Sequence, residues 1–276
     1  MAISGVRRMV ACVIGCFFGN NYETVYPAVK NYDAYFFSNN SKIKSDIEAA
    51  GWRYIFINFP LSDDLAISSL QSKYIKFLQF LKSDDFSFFT NYDIIIYTDH
   101  KLELKDTHIE YLIGKFSDYK IVVRNHPGER KNIWEEVGVS MFQERYLRFM
   151  PQTIDYIREK IQNGYSEYPI VVWTSLIAYK HSDNKTINFV DMVYNDLIKI
   201  GTSQCQIIWS LLGQKYKEII KIIKWDELDI KWKEPQKLIK RIIKLFIPFG
   251  VLELRKIIKT TQAHTGSRRS GKSNIQ

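Results

Sequence analysis

The residues best suited to chemistry lie at the end of one apolar segment, residues 92–104. The isoleucine run 94–96 predicts a buried strand, because β-branched side chains pack well on a pleated surface that is covered on both faces. Thr-Asp-His at 98–100 follows, and ligands of open α/β sheets bind at the carboxyl ends of strands. A carboxylate at Asp99 can hold a divalent cation, which in turn neutralises a diphosphate. The alternative for Asp99 considered alone is an ordinary strand end with a turn-forming aspartate.

A second pair of candidates lies earlier in the chain. Lys73 and Lys76 are three residues apart, so they project from one face of a predicted helix. Two ammonium groups can hold a diphosphate and offset the charge on a departing nucleotide. Two solvated lysines on an amphipathic helix are the alternative.

The elements that must position these residues alternate in type along the first half of the chain. Strands are predicted at 9–18, 33–37, 53–58, 93–97 and 120–124. Helices are predicted at 23–30, 43–50, 65–81 and 106–116, followed by a helical stretch at 133–161, an apolar run at 169–179 and helices at 187–200 and 203–212. This alternation favours an α/β fold, a mostly parallel twisted sheet flanked by helices.

Charge is distributed unevenly along the 276 residues. Residues 215–276 carry 16 Lys or Arg and 6 Asp or Glu, a balance of +10 against +9 for the whole chain. The first 214 residues are therefore nearly neutral, which does not favour a main domain that reads nucleic acid. We predict a catalytic domain at 1–214, a basic amphipathic helical extension at 215–260 and a polar tail at 261–276.

The extension has its own two interpretations. Apolar and basic residues of 237–246 fall on opposite faces of a predicted helix, which suits either the headgroup layer of an anionic membrane or packing on the body. No segment is apolar over the ~18 residues that span a bilayer. The three cysteines fit no disulfide framework, and a reducing compartment is the simpler interpretation.

Two short motifs are set aside. GSRRSGKS at 266–273 matches a phosphate-binding loop in letters, but only three residues follow it, so the required helix cannot form. The apolar run after Arg7-Arg8 is too short for a typical signal core, and we interpret it as the first strand.

Six blocks in a fixed order resemble a known family. They are GNNY at 19–22, YDAYFFSNN at 32–40, GWR at 51–53, KYIK at 73–76, YDIIIYTDH at 92–100, and HPGER with WEE at 126–136. This order resembles the glycosyltransferase-like family long catalogued as a domain of unknown function, found in plant mucilage-related proteins and bacterial polysaccharide clusters. The resemblance covers roughly residues 9–212 and implies a GT-A-like fold, a nucleotide-sugar donor such as a UDP-sugar, and Mn²⁺ or Mg²⁺.

The resemblance also implies roles for single residues. Asn39 matches a position near the nucleotide, Lys73 and Lys76 match a basic pair, and Asp99 matches the aspartate ending the central strand, the expected contact for metal or donor. The remaining matches are His126, an acidic position at Glu135 or Glu136, and a late histidine at His181 that could complete a metal site with Asp99. A carboxylate that reaches the acceptor hydroxyl would serve as general base in an inverting transfer. Which of the two glutamates faces inward stays open.

The sequence departs from the family pattern in two places. Gln204-Cys205-Gln206 stands where the family tends to show Arg-Asp-Gln, so only Gln206 is retained, and Asn39 replaces an aspartate. The change at 204–205 bears on the acceptor contact and on the activity, and the change at Asn39 bears on ribose recognition.

We therefore expect a glycosyltransferase that moves a sugar from a nucleotide donor to a surface polysaccharide or lipid-linked glycan. The basic extension would place it at the cytoplasmic face of a membrane, with no specific nucleic-acid partner. Two alternatives remain: a metal-dependent hydrolase using His126 with Glu135 or Glu136, and a non-catalytic membrane-associated protein with a degraded site.

Overall fold

The structure is a computed structural model that describes residues 9–128 and 130–232. The amphipathic helix predicted at 237–246 and the predicted tail lie outside the described residues. The compact unit runs to Trp232, so the segment 215–260 begins with residues that belong to that unit.

Nine strands form two sheets in the described part of the chain. They are β1 (Ala11–Cys16), β2 (Asp33–Ser38), β3 (Arg53–Phe56), β4 (Ile94–Asp99), β5 (Leu102–Glu103), β6 (Ile121–Asn125), β7 (Val172–Tyr179), β8 (Ile220–Ile223) and β9 (Lys231–Trp232).

The main sheet has seven strands in the order β3-β2-β1-β4-β7-β6-β8. Six run in one direction, and β7 is antiparallel to both of its neighbours. We call the edge where β1, β2, β4 and β6 end the carboxyl edge, and the opposite one the amino edge. Because β7 runs the other way, its first residue, Val172, lies at the carboxyl edge and its last, Tyr179, at the amino edge.

Eight α-helices connect and cover these strands in the described residues. They are α1 (Lys44–Ala49), α2 (Leu65–Lys76), α3 (Asp106–Ile113), α4 (Ile133–Ser140), α5 (Glu144–Leu147), α6 (Met150–Gln162), α7 (Asn184–Ile200) and α8 (Cys205–Leu212). The predicted α/β class, with a mostly parallel sheet flanked by helices, is confirmed.

Each face of the sheet buries its own apolar cluster. Side chains alternate along a strand, so Ile95 and Tyr97 of β4 face the cluster that includes α2, α7 and α8, while Ile94 and Ile96 face the cluster of α1 and α3. All four are at most 2 % exposed. Burying an isoleucine stabilises the fold by about 1.5–3 kcal/mol, so the run 94–96 makes β4 a rigid support for the residues that follow it.

Two predicted helices differ from the structure. Residues 23–30 are irregular, because Pro27 lacks an N–H and the segment is instead tied to its surroundings: Trp52 Nε1 donates to the Tyr26 carbonyl at 2.9 Å. The helix expected over 65–81 ends at Lys76, and Leu78 adopts a left-handed φ of 57°. The early end places Lys76 in the last turn, where a cation is favoured by the helix dipole.

Candidate active site

The structure brings Lys73, Lys76 and Asp99 together at the carboxyl edge, and we call them the lysine–aspartate cluster. The Lys76 Nζ lies 3.2 Å from Asp99 Oδ1. The Lys76 side chain is 4 % exposed and that of Asp99 is 39 % exposed, so the carboxylate is the part of the pair that meets solvent. Both lysines are on the last turn of α2, and Asp99 is the last residue of β4.

Neighbouring side chains hold this pair in place. The Tyr97 hydroxyl donates to Asp99 Oδ1 at 2.7 Å, and the Lys76 Nζ lies 4.7 Å from the centroid of the Tyr97 ring. Although burial opposes the charged form, the ammonium groups of Lys76 and Lys73 lower the pKa of Asp99. Burial likewise opposes charge on Lys76, but the Asp99 carboxylate outweighs it and raises the pKa of that lysine. Both groups are therefore charged at neutral pH.

Lys73 is the exception in the cluster. It is 6 % exposed, and within the described residues no hydrogen bond or ion pair reaches its ammonium. Burial, helped by the charges of Lys76 and Arg145, lowers the pKa of Lys73 to about 8 against the opposing attraction of Cys205 and Asp99. The Lys73 Nζ is not among the fully buried side-chain atoms that lack a partner, so the small exposed part of this lysine leaves its ammonium within reach of a ligand.

Cys205 is a site residue that sequence reasoning missed. It is 3 % exposed, its Sγ lies 3.1 Å from the Thr174 hydroxyl, and it begins α8. Burial alone would raise the pKa of the thiol, but the ammonium groups of Lys73 and Lys76 outweigh it and lower that pKa.

Arg145 adds a third positive charge. The guanidinium lies over the Tyr146 ring, 4.6 Å from its centroid, and is held by Gln143 Oε1 at 2.8 Å. Its charge contributes to the lowered pKa of Lys73. Arg145 therefore adds to the positive charge that Lys73 and Lys76 bring to this region.

A second group at the same edge centres on Glu136, and we call it the glutamate cluster (His126, Arg130, Glu136, Gln204). Gln204 Nε2 donates to Glu136 Oε1 at 3.0 Å, and Arg130 Nε lies 3.3 Å from Oε2. Burial raises the pKa of Glu136, and Arg130 opposes that shift. A buried carboxyl with a raised pKa beside a charged partner is typical of a functional site.

His126 presents its Nε2 to this carboxylate. Its Nδ1 accepts a hydrogen bond from the Gly128 N–H at 3.0 Å, so in the neutral ring the proton is on Nε2, 3.9 Å from Glu136 Oε2. Burial, together with Arg130, lowers the pKa of His126 to about 4. The imidazole is therefore neutral at physiological pH.

The helix start decides which glutamate faces inward. Asn132 caps α4 by accepting from the Glu135 N–H at 3.0 Å, and the buried stripe of the helix consists of Ile133, Glu136, Val137 and Ser140. Glu135 points to solvent, where its Oε2 accepts from the Lys131 N–H at 3.0 Å. Glu136 is thus the candidate base, and Glu135 is not.

The start of α8 connects the two clusters. Gln204 donates a hydrogen bond to Glu136, and the charges of Lys73 and Lys76 act on the adjacent Cys205, so two neighbouring residues link the two groups. Gln206 Nε2 donates to the Val172 carbonyl at 3.3 Å, which anchors the helix to the first residue of β7. The departure from the family pattern at 204–205 therefore falls in the middle of the site.

Asn39 has a structural role and does not offer its amide to a nucleotide. Its Nδ2 donates to the Pro60 carbonyl at 2.9 Å, and its Oδ1 accepts from the Gly19 N–H at 2.9 Å. The side chain is buried and ties two loops of the carboxyl edge together. The expected nucleotide contact at Asn39 is corrected accordingly.

Asn39→Asp should lower the free energy of unfolding by about 1–3 kcal/mol, because a carboxylate cannot donate to the Pro60 carbonyl and leaves buried groups unpaired. Urea unfolding measures the effect. Asn21→Asp, an exposed site in the neighbouring loop with the same charge change, should have little effect. Equal losses in both variants would contradict this role for Asn39.

His181 does not lie beside Asp99. Its Nε2 is 2.7 Å from the Tyr92 carbonyl, at the amino edge, because β7 is antiparallel to β4 and Tyr179 pairs with Ile95. Tyr92 and Asp99 are at opposite ends of β4, about 20 Å apart at the usual rise of a strand. The expected metal site formed by these two residues is therefore corrected.

The residues around Asp99 do not fit a divalent cation. Lys76 and Tyr97 both contact the Oδ1 of this carboxylate, and the described residues contain no group of three or more His, Cys, Asp or Glu that could hold a metal. Two unit charges 4 Å apart interact by about 4 kcal/mol at an effective dielectric constant of 20, and a divalent ion doubles that repulsion from each ammonium. The charges already present favour an anion.

A cavity of about 640 Å³ lies at the amino edge, between the starts of β1, β2 and β3. Lys30, Asp33 and Arg53 contribute its charged groups. None of the residues of the two clusters lines it. The chemistry-bearing residues and this cavity are thus on opposite edges of the sheet.

Comparisons with known proteins give alignments to solved structures alone. No protein-family model matches the chain, and no curated protein matches it. The crystal structure of mouse Xyloside xylosyltransferase 1 in its apo form aligns with 78 % of this chain and 85 % of its own, at 11 % identity and a TM-score of 0.41. A glycosyltransferase involved in glycosylation of the major capsid of the virus PBCV-1 aligns with 77 % of this chain and 82 % of its own, at 8 % identity and a TM-score of 0.38. Both of these proteins are named as glycosyltransferases.

Proposed function

We propose that the protein is a glycosyltransferase that uses a nucleoside-diphosphate sugar. The observation that carries the proposal is the largely buried Lys73, whose ammonium has no hydrogen bond or ion pair among the described residues, beside the Lys76–Asp99 pair at the edge where ligands of α/β sheets bind. The resemblance of the six sequence blocks to a glycosyltransferase-like family points the same way, and with it to a GT-A-like arrangement. We further propose that the base of the nucleotide is uracil.

The lysine–aspartate cluster suits the departing group. Breaking the bond between sugar and phosphate leaves negative charge on a diphosphate, and preorganised cations that face this charge lower the barrier. No hydrogen bond or ion pair from the described residues engages the Lys73 ammonium, so it is available to a phosphate oxygen. Asp99 keeps the Lys76 ammonium charged and oriented.

Glu136 suits the acceptor side. A carboxylate with a raised pKa can take the proton of an attacking hydroxyl, and Gln204 and Arg130 fix its two oxygens. The neutral His126 can donate from Nε2 to an acceptor oxygen. In this scheme the acceptor hydroxyl attacks the anomeric carbon, Glu136 takes its proton, and the diphosphate leaves toward the lysines.

Release of nucleoside diphosphate from a panel of nucleotide sugars tests the proposal. The full chain is incubated with each donor and with glycan or lipid-linked acceptors, and the release of UDP or GDP is followed. We expect turnover with one donor that rises when an acceptor is added. A hydrolase would release the diphosphate at a rate that no acceptor changes, and that result would favour the alternative class.

Binding of a nucleoside diphosphate should weaken as the pH rises through about 8, the pKa of Lys73. A phosphate binds the protonated lysine, so binding raises its pKa and takes up about half a proton at pH 8. Calorimetry in buffers of different ionisation enthalpy measures that uptake. Lys73→Arg should remove it, since arginine stays charged throughout this range. Unchanged proton uptake in Lys73→Arg would contradict the assignment to Lys73.

The acceptor and the location are further parts of the proposal. A lipid-linked or surface glycan at the cytoplasmic face of a membrane would be met by the basic segment 237–246, which lies outside the described residues. In the described part of the chain, no helix has the length and apolar character to cross a bilayer. Sedimentation of the full chain with anionic and with neutral vesicles tests the peripheral contact, and equal recovery with both would contradict it.

A further inference from the structure

The unusual feature of the site is its balance of charge. Among the described residues, Lys73, Lys76 and Arg145 bring positive charge to a region where Asp99 is the neighbouring carboxylate and Cys205 the neighbouring thiol. A site that binds its diphosphate through a metal needs carboxylates that face the ion. Here the carboxylate faces an ammonium at 3.2 Å instead.

We infer that this chain binds the diphosphate of its donor directly through Lys73, with Lys76 beside it, and without a divalent cation. The inference rests on the proposed function and deepens it. Lys73 carries the inference because it is 6 % exposed and has no hydrogen bond or ion pair among the described residues. A phosphate oxygen would supply the partner that the folded chain does not.

The groups that face Lys73 come from four elements. Lys76 lies on the same helix, Asp99 on β4, Arg145 on α5 and Cys205 on α8. The ammonium groups of Lys73 and Lys76 lower the pKa of the Cys205 thiol, so this side chain responds to the positive charge of the region. One thiol and one carboxylate that is paired with an ammonium offer few ligands to a divalent cation.

Titration of UDP into the full chain tests this, once with excess EDTA and once with MnCl₂. We expect UDP to bind in EDTA with an affinity that manganese changes by less than about threefold. Lys73→Met should weaken binding in EDTA on the order of 10- to 100-fold, the loss of one charge-assisted hydrogen bond. Lys44→Met is the matched control, because this lysine is 57 % exposed on α1 and should leave the affinity unchanged.

A second readout separates ligand binding from a structural role. Because burial outweighs the attraction of Cys205 and Asp99 for this ammonium, Lys73→Met should raise the melting temperature by a few degrees while it weakens UDP binding. A structural lysine would show the opposite, a lower melting temperature. Lys73→Arg keeps the charge and should retain most of the affinity.

The outcomes distinguish the two levels of the proposal. UDP binding that is lost in EDTA and restored by manganese would overturn the metal-free inference and leave the transferase standing. Metal-independent binding that Lys73→Met does not weaken would also overturn it. Failure of UDP and of GDP to bind under both conditions would overturn the proposed function itself.

Discussion

Glu136→Gln should reduce transfer by on the order of 10²- to 10⁴-fold, the usual contribution of a general base. The amide keeps the size of the side chain and can still accept from Gln204, but it cannot take a proton from the acceptor hydroxyl. UDP affinity should change little, because the lysine–aspartate cluster is intact. The measurement is acceptor-dependent release of UDP, with the melting temperature of the variant recorded beside it.

Glu135→Gln is the matched control, since it removes the same charge from the adjacent, exposed position. It should retain nearly full activity. If both variants lost activity equally, the loss would come from the charge of α4 and not from a base. If Glu136→Gln transferred sugar at the normal rate, the assignment of the base would be wrong.

Asp99→Asn should lower the free energy of unfolding by about 2–4 kcal/mol, because the buried Lys76 ammonium loses its ion-pair partner. The value lies toward the lower end of what broken buried pairs cost, since the Asp99 side chain is 39 % exposed and solvent screens part of the interaction. Asparagine still accepts from the Tyr97 hydroxyl, so the change isolates the charge. Urea unfolding of both proteins measures the difference.

A double-mutant cycle makes this second prediction specific to the pair. Lys76→Met should recover part of the stability that Asp99→Asn loses, because it removes the ammonium left without a partner. UDP should also stabilise Asp99→Asn by mass action, since the bound anion supplies negative charge at the same place. Strict additivity of the two substitutions would contradict the proposed coupling.

Most of the main sheet could be predicted from the sequence because its strands carry strong signals, but β8 lies in the segment 215–260 that was predicted to be a helical extension. The run 94–96 predicted a buried strand, and the structure has β4 there with Asp99 as its last residue. The helix predicted at 23–30 is wrong. Trp52 Nε1 donates to the Tyr26 carbonyl and the Ala28 N–H donates to the Ala50 carbonyl, so hydrogen bonds to residues distant in sequence hold this segment in an irregular conformation. Such tertiary contacts are invisible to a local pattern.

Part of the candidate site could be predicted from the sequence. The spacing of Lys73 and Lys76 placed them on one face, and both are buried beside Asp99. The sequence pattern itself favours Glu136 over Glu135 as the inward-facing glutamate. Positions 133, 136, 137 and 140 have the i, i+3, i+4, i+7 spacing of one helix face, and Glu136 is on that face.

Other features of the site required the fold. His181 lies at the wrong edge because β7 runs antiparallel, and strand direction cannot be inferred from an apolar run. Cys205 gave no local signal, since its importance comes from two lysines more than a hundred residues earlier in the chain.

The most direct test of the account is a crystal structure of the full chain grown with UDP. We predict the diphosphate at the carboxyl edge, with a phosphate oxygen within hydrogen-bonding distance of Lys73 Nζ and with the start of α8 close by. A nucleotide bound instead in the amino-edge cavity beside Lys30 and Arg53, with Lys73 still unpartnered, would contradict it.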